Sequence, residues 1–136
     1  EREEWLVNDE YYQINASGTD DVPDSHIQKY KEYVAKVNWK KKTKEAHEDI
    51  WQFHLELDKL GAKHIFFNGN NDFSKVKDQK QWGSSYIQPY SPEHTFNAVV
   101  GARCETVSPI SWHYGVDGHR VWAQYLTKYI VDNKLI

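Results

Sequence analysis

Between Thr43 and Gly61 the apolar residues Ala46, Ile50, Phe53, Leu57 and Leu60 recur at helical spacing, and the block Lys63-His64-Ile65-Phe66-Phe67-Asn68 follows almost without a linker. A helix that stops at a glycine and hands over to a short continuous apolar run restricts the fold strongly. Such a run does not alternate between faces, so it reads as a strand covered on both sides. Asn68-Gly69-Asn70-Asn71-Asp72 then breaks it with residues that tolerate unusual backbone angles. This order predicts an α/β fold with few parallel strands and several helices, its functional loops at the carboxyl ends of the strands.

The remaining segments fill in that outline. Residues 1–24 show no sustained period, and Asn15 to Asp21 followed by Pro23 is turn-forming, so at most a short strand is predicted near Tyr11 to Ile14. Ser25 can cap a helix on which Ile27, Tyr30, Val34 and Val37 recur at 3, 4 and 3 residues. From Phe73 to Tyr90 no period is visible, and an irregular connection of that length often serves as a binding loop. Ser91-Pro92 predicts a short helix over 93–100, with residues 103–110 reaching back across the core. A last helix is predicted from Val116 to about Asn133, with Trp122, Leu126, Tyr129 and Ile130 inward and Gln124, Lys128 and Asp132 outward.

Charge and length narrow the classes of function. With 136 residues the chain has room for one domain, 1–136, and one core. Its 17 basic and 20 acidic residues are scattered, for a net charge of -3, which argues against nucleic-acid binding. The one basic run, Lys40-Lys41-Lys42, reads as the solvated end of a helix-helix connection. No stretch has the apolar length of a membrane span, and no signal-peptide pattern opens the chain. Cys104 is the only cysteine, so no intrachain disulfide forms and a cytosolic setting is favoured; its surroundings carry no nucleophile signature. Aromatic content is 15% with 6 Trp and 9 Tyr, enough to build a core from few large side chains and to spare some for a groove.

The chemistry-bearing candidates gather near the carboxyl terminus. His113 lies three residues before the last helix, in a loop, where it either satisfies a backbone carbonyl or acts as a general base. A base of that kind needs one ring nitrogen aimed at a hydroxyl and the other held by an acceptor. His113, Asp117 and His119 are also possible metal ligands, although Asp117 is equally explained as an N-terminal helix cap. No cofactor or metal is required by the pattern. His47 and His54 sit seven apart on a helix, while His26, His64 and His94 are isolated, and all five read as ordinary helix, core or surface residues. Ser84 and Ser85 follow a glycine but lack the flanking strand and helix of a nucleophile elbow, and Ser111 is too near His113 to be its nucleophile. Trp82, Tyr86 and Tyr90, on the irregular connection, are the candidates for substrate binding.

The run His113-Tyr114-Gly115-Val116-Asp117-Gly118-His119-Arg120-Val121-Trp122-Ala123-Gln124-Tyr125-Leu126 resembles the carboxyl-terminal block of the SGNH (GDSL-like) hydrolases. The resemblance implies a flavodoxin-like three-layer α/β/α fold and hydrolysis of esters or acetylated carbohydrates. It gives His113 the general-base position and leaves His119 in the helix start. Ile110 stands where the family usually has an aspartate, and no Gly-Asp-Ser block or oxyanion-hole glycine and asparagine blocks occur. Those blocks come earlier in the family, and the chain has no methionine at position 1. The resemblance thus reads the chain as the carboxyl-terminal part of a longer ester hydrolase, inactive alone, or as a noncatalytic binding or structural module on that scaffold. A partial sheet of this type would leave an edge open to a second copy.

Overall fold

The computed structural model describes residues 2–7, 10–15, 24–111 and 113–135, with side chains described from His26 onward. The turn-forming stretch 16–23 and the side chain of Trp112 lie outside the described residues. Contacts divide the chain after Lys40 into two units.

In the first unit, strands β1 (Arg2–Val7) and β2 (Glu10–Asn15) pair antiparallel, with Trp5 opposite Tyr12 and Val7 opposite Glu10. The sequence predicts only one short strand here; β-branched and aromatic residues in both segments favour the second as well. Helix α1 (Asp24–Lys36) begins just before Ser25, and its residue Tyr30 is buried.

Helix α2 (Trp39–Lys59) starts ahead of the Thr43 cap that the sequence predicts, so Lys40, Lys41 and Lys42 belong to the helix and not to a connection. Lysine is a good helix former, and Lys41 pairs with Glu45 one turn on at 3.4 Å. The buried face of α2 is rotated from the predicted stripe. His47 and His54 are buried, with Ile50 and Trp51 packed between them, whereas Phe53 is 51% and Leu60 79% exposed. The partner surface explains the rotation, because the core opposite is aromatic. Phe73, Trp82 and Tyr86 form its centre, and the His47 ring meets Phe73 edge-on at 5.0 Å while Trp51 meets Trp82 at 4.9 Å.

The stop at Gly61 is as predicted. Its φ is +66°, the Gly61 N–H donates to the Asp58 carbonyl at 3.0 Å and the Ala62 N–H donates to the Leu57 carbonyl at 2.9 Å. This is a Schellman ending, in which a left-handed residue closes the last helical carbonyls and reverses the chain.

The predicted buried strand at 63–68 does not form. A single parallel bridge joins Phe66 to Tyr86, through Phe66 N–H to the Ser85 carbonyl at 2.8 Å and Ile87 N–H to the Phe66 carbonyl at 2.9 Å. The apolar side chains are used against other elements instead: Phe66 meets Phe53 and Tyr86, and Phe67 meets Trp122. A three-layer α/β/α architecture with parallel strands is therefore not the fold. Among the described residues the protein is mainly helical, and its one ladder is the antiparallel hairpin.

Beyond the irregular connection, Pro92–His94 makes a 3-10 turn and α3 (Phe96–Gly101) follows. The cap of α3 is Thr95, whose hydroxyl accepts from the Ala98 N–H at 3.1 Å. Ser91, the predicted cap, spends its hydroxyl on Glu93 and His94. Residues 103–110 do not cross the core. Thr106 instead bridges antiparallel to Tyr114, directly before α4 (Val116–Asp132). Trp122 is buried on the predicted inner face of α4, with Gln124, Lys128 and Asp132 exposed. Gly118 lets α4 approach closely, since a Cβ there would lie 2.5 Å from Tyr114 Cβ and 2.9 Å from Val100 Cγ1. No described helix is long and apolar enough to cross a membrane.

Candidate functional site

His113 is exposed, on a short loop pinned at both sides. Its carbonyl accepts from the Val107 N–H at 2.9 Å, and the next residue, Tyr114, donates its phenol hydrogen to Asn97 Oδ1 of α3 at 2.8 Å. The Ser111 hydroxyl accepts from the His113 N–H at 3.1 Å and lies 3.5 Å from His113 Nδ1, the outer limit of a hydrogen bond. Among the described residues Nε2 has no hydrogen-bond partner and no carboxylate pairs with the ring. Ile110 is 92% exposed.

Asp117 is not the cap of α4. Gly115 holds that position, and the Asp117 carboxylate accepts from Arg120 Nη1 at 3.0 Å on the open surface. His113, Asp117 and His119 form no converging set of donors among the described residues. The set that does converge is His54, Asp58 and His64, each offering one donor atom within 4.8 Å of the others.

Trp82, Tyr86 and Tyr90 are brought together, but mainly as structure. Trp82 and Tyr86 are buried, their rings 4.9 Å apart and edge to face. The Tyr90 phenol oxygen accepts from the Lys80 N–H at 2.6 Å and from Trp82 Nε1 at 2.8 Å, and lies 3.0 Å from His47 Nε2. With two donors already on that oxygen, the nearer acceptor for its own hydrogen is His47 Nε2 at 3.0 Å, the Lys80 carbonyl standing farther off at 3.4 Å. Burial lowers the His47 pKa from its ordinary value, the nearby Lys80 ammonium adds to this, and a neutral ring is the result. Tyr86 donates to Asn68 Oδ1 at 2.8 Å, and Asn68 Nδ2 in turn donates to the Pro89 carbonyl at 3.0 Å. Burial pushes the Tyr86 phenol far up, so it is a fixed donor. One side of this group lines an open cleft of about 500 Å³ together with Lys80, Tyr129 and Asn133; His113 does not line it.

Among the described residues a shorter serine-histidine contact lies elsewhere, at 2.7 Å between Ser91 Oγ and His94 Nδ1. Ser91 donates its hydrogen to Glu93 Oε2 at 2.7 Å, so the imidazole is the donor to the serine oxygen. That direction is opposite to general-base activation, and the trio closes a local turn. The His54 to His64 pairing was not read from the sequence. Its signal was present: His54 and Asp58 stand one turn apart on α2, and Gly61 reverses the chain toward them.

No protein-family model, curated protein or solved structure matches the chain.

Proposed function

We propose that the chain carries the general-base histidine of a serine-dependent hydrolase acting on an ester or O-acetyl group, and that His113 is that base. The observation that supports this reading is the posture of His113, exposed on a clamped loop, with Nδ1 turned to the Ser111 hydroxyl and Nε2 open. The likeness of residues 113–126 to the histidine block of the SGNH hydrolases supports the same residue. In the reaction, Nε2 takes the proton of a serine hydroxyl as its oxygen attacks the ester carbonyl. The imidazolium then returns that proton to the departing alkoxide. Ser111 takes the orienting place that an aspartate holds in most such sites. The nucleophile and the oxyanion donors are not among the described neighbours of His113, so the reading requires a serine brought to Nε2 from elsewhere.

The test is labelling of the full-length protein with a fluorophosphonate, alongside hydrolysis of an alkyl acetate. One serine should be labelled, identified by peptide mapping, and both labelling and hydrolysis should be lost in His113→Ala. Unchanged hydrolysis in that variant removes His113 from the mechanism, and no labelled serine removes the hydrolase reading altogether.

A noncatalytic binding or structural module is the second reading. The observation favouring it is the absence of any carboxylate on the His113 ring among the described residues, since a neutral hydroxyl at 3.5 Å stabilises an imidazolium far less than a carboxylate does.

A further inference from the structure

We infer that His54, Asp58 and His64 form a binding site for a divalent transition-metal ion, zinc by its donor set. His54 and Asp58 stand one helical turn apart on α2, so both project from the same face. The Schellman ending at Gly61 turns the chain back, and His64 returns to bring its Nε2 within 2.8 Å of His54 Nδ1. The other nitrogen of His54 lies 3.4 Å from Asp58 Oδ2. A single donor atom from each residue can be chosen so that all three lie within 4.8 Å of one another.

The surrounding groups are those a metal site uses. The Ala62 carbonyl fixes the His64 tautomer with Nε2 as the lone-pair atom, the usual role of an outer-shell acceptor. His54 is only 5% exposed and is held by the Trp51 ring at 5.0 Å and the Trp82 ring at 5.5 Å, so its orientation is set by packing. Asp58 is 56% exposed and turns without disturbing the core. Tetrahedral zinc with bonds of about 2.0–2.1 Å places its donors roughly 3.3 Å apart, so an ion between His54 Nδ1 and His64 Nε2 needs those atoms to separate slightly and the Asp58 carboxylate to swing round from the Nε2 edge of His54. Two imidazoles and one carboxylate make a borderline donor set suited to zinc, and the exposed Asp58 side leaves the fourth position to solvent.

The experiment is calorimetric titration of the intact chain with Zn²⁺, repeated with Co²⁺ while visible absorption is recorded. The wild-type chain should bind zinc with micromolar or tighter affinity at this site, and Co²⁺ should give the ligand-field bands of a tetrahedral nitrogen-oxygen site. Asp58→Asn and His64→Gln, both at solvent-reached positions, should each weaken binding by about tenfold or more without changing the metal-free circular dichroism. His113→Ala should leave the titration unaltered. Absence of saturable binding at micromolar zinc overturns the proposal; retention of full affinity in both variants overturns it by placing the ion elsewhere.

Discussion

Across 3.0 Å, the buried imidazole of His47 accepts the phenol hydrogen of Tyr90. A neutral His47 is thus part of the folded structure, and its pKa is lowered below the ordinary 6.5. When the folded value is the lower one, the unfolded chain takes up the proton first. Stability from this residue is then complete above about pH 6.5 and falls as pH drops below it.

The expected result in urea denaturation is a loss of stability between pH 7 and pH 5 that His47→Gln reduces, since a glutamine carbonyl can accept from Tyr90 without titrating. Asp72, Asp78, Glu48 and Glu93, also lowered, by hydrogen bonds first, lose their contributions only below their ordinary values of 3.8 and 4.5. The two windows separate in a pH series. An identical slope above pH 5 in wild type and variant would count against His47.

Removing the Tyr90 hydroxyl leaves the Lys80 N–H and Trp82 Nε1–H without their acceptor. Tyr90→Phe should therefore destabilise the protein by about 1–3 kcal/mol, read as a shift in the denaturation midpoint. Tryptophan fluorescence should change as well, because Trp82 loses its one hydrogen bond.

Two glycines should behave differently when replaced by alanine. At Gly61 the added Cβ meets nothing within 4 Å, so only the left-handed backbone opposes it, at about 1 kcal/mol. At Gly118 the added Cβ is pressed against Tyr114 Cβ, which is bound to the backbone and gives little. Overpacking of this kind costs about 1–3 kcal/mol, more than the helix propensity gained from alanine. Thermal melting should rank Gly118→Ala below Gly61→Ala.

If His113 is the base proposed above, Ser111→Ala should lower kcat by less than about tenfold, whereas His113→Ala should remove activity. The difference follows from the weak contact at 3.5 Å, which positions the ring without carrying charge. Steady-state kinetics on an alkyl acetate at pH 8 distinguishes the two.

Helical periods made most of the helices legible in the sequence, and the stop at Gly61 and the inner face of α4 were readable from single residues. The buried face of α2 was not, because its apolar stripe and its aromatic neighbours compete for the same side of the helix, and the neighbours decide. The block 63–68 has the pattern of a strand and forms only a single bridge, for a related reason. A continuous apolar run suggests cover on both sides but not by what, and here Phe66 packs on Phe53 of α2 while Phe67 touches Trp122 of α4 and stays 44% exposed, without a ladder between them. His113 was legible as an exposed loop residue, while the Ser111 contact depends on a local turn that periodicity does not report. The convergence of His54 and His64 depends on the reversal after α2.

The Tyr90 oxygen gathers Lys80, Trp82 and His47 at one atom, in a connection that has no regular secondary structure. Its consequence concerns time scale. The Lys80 amide is shielded from solvent exchange by a phenol that can let go only when the Trp82 and His47 contacts also open, so its deuterium uptake should be as slow as that of an interior helical amide. A stretch that looks like a loop by its backbone would thus behave in exchange as part of the rigid interior.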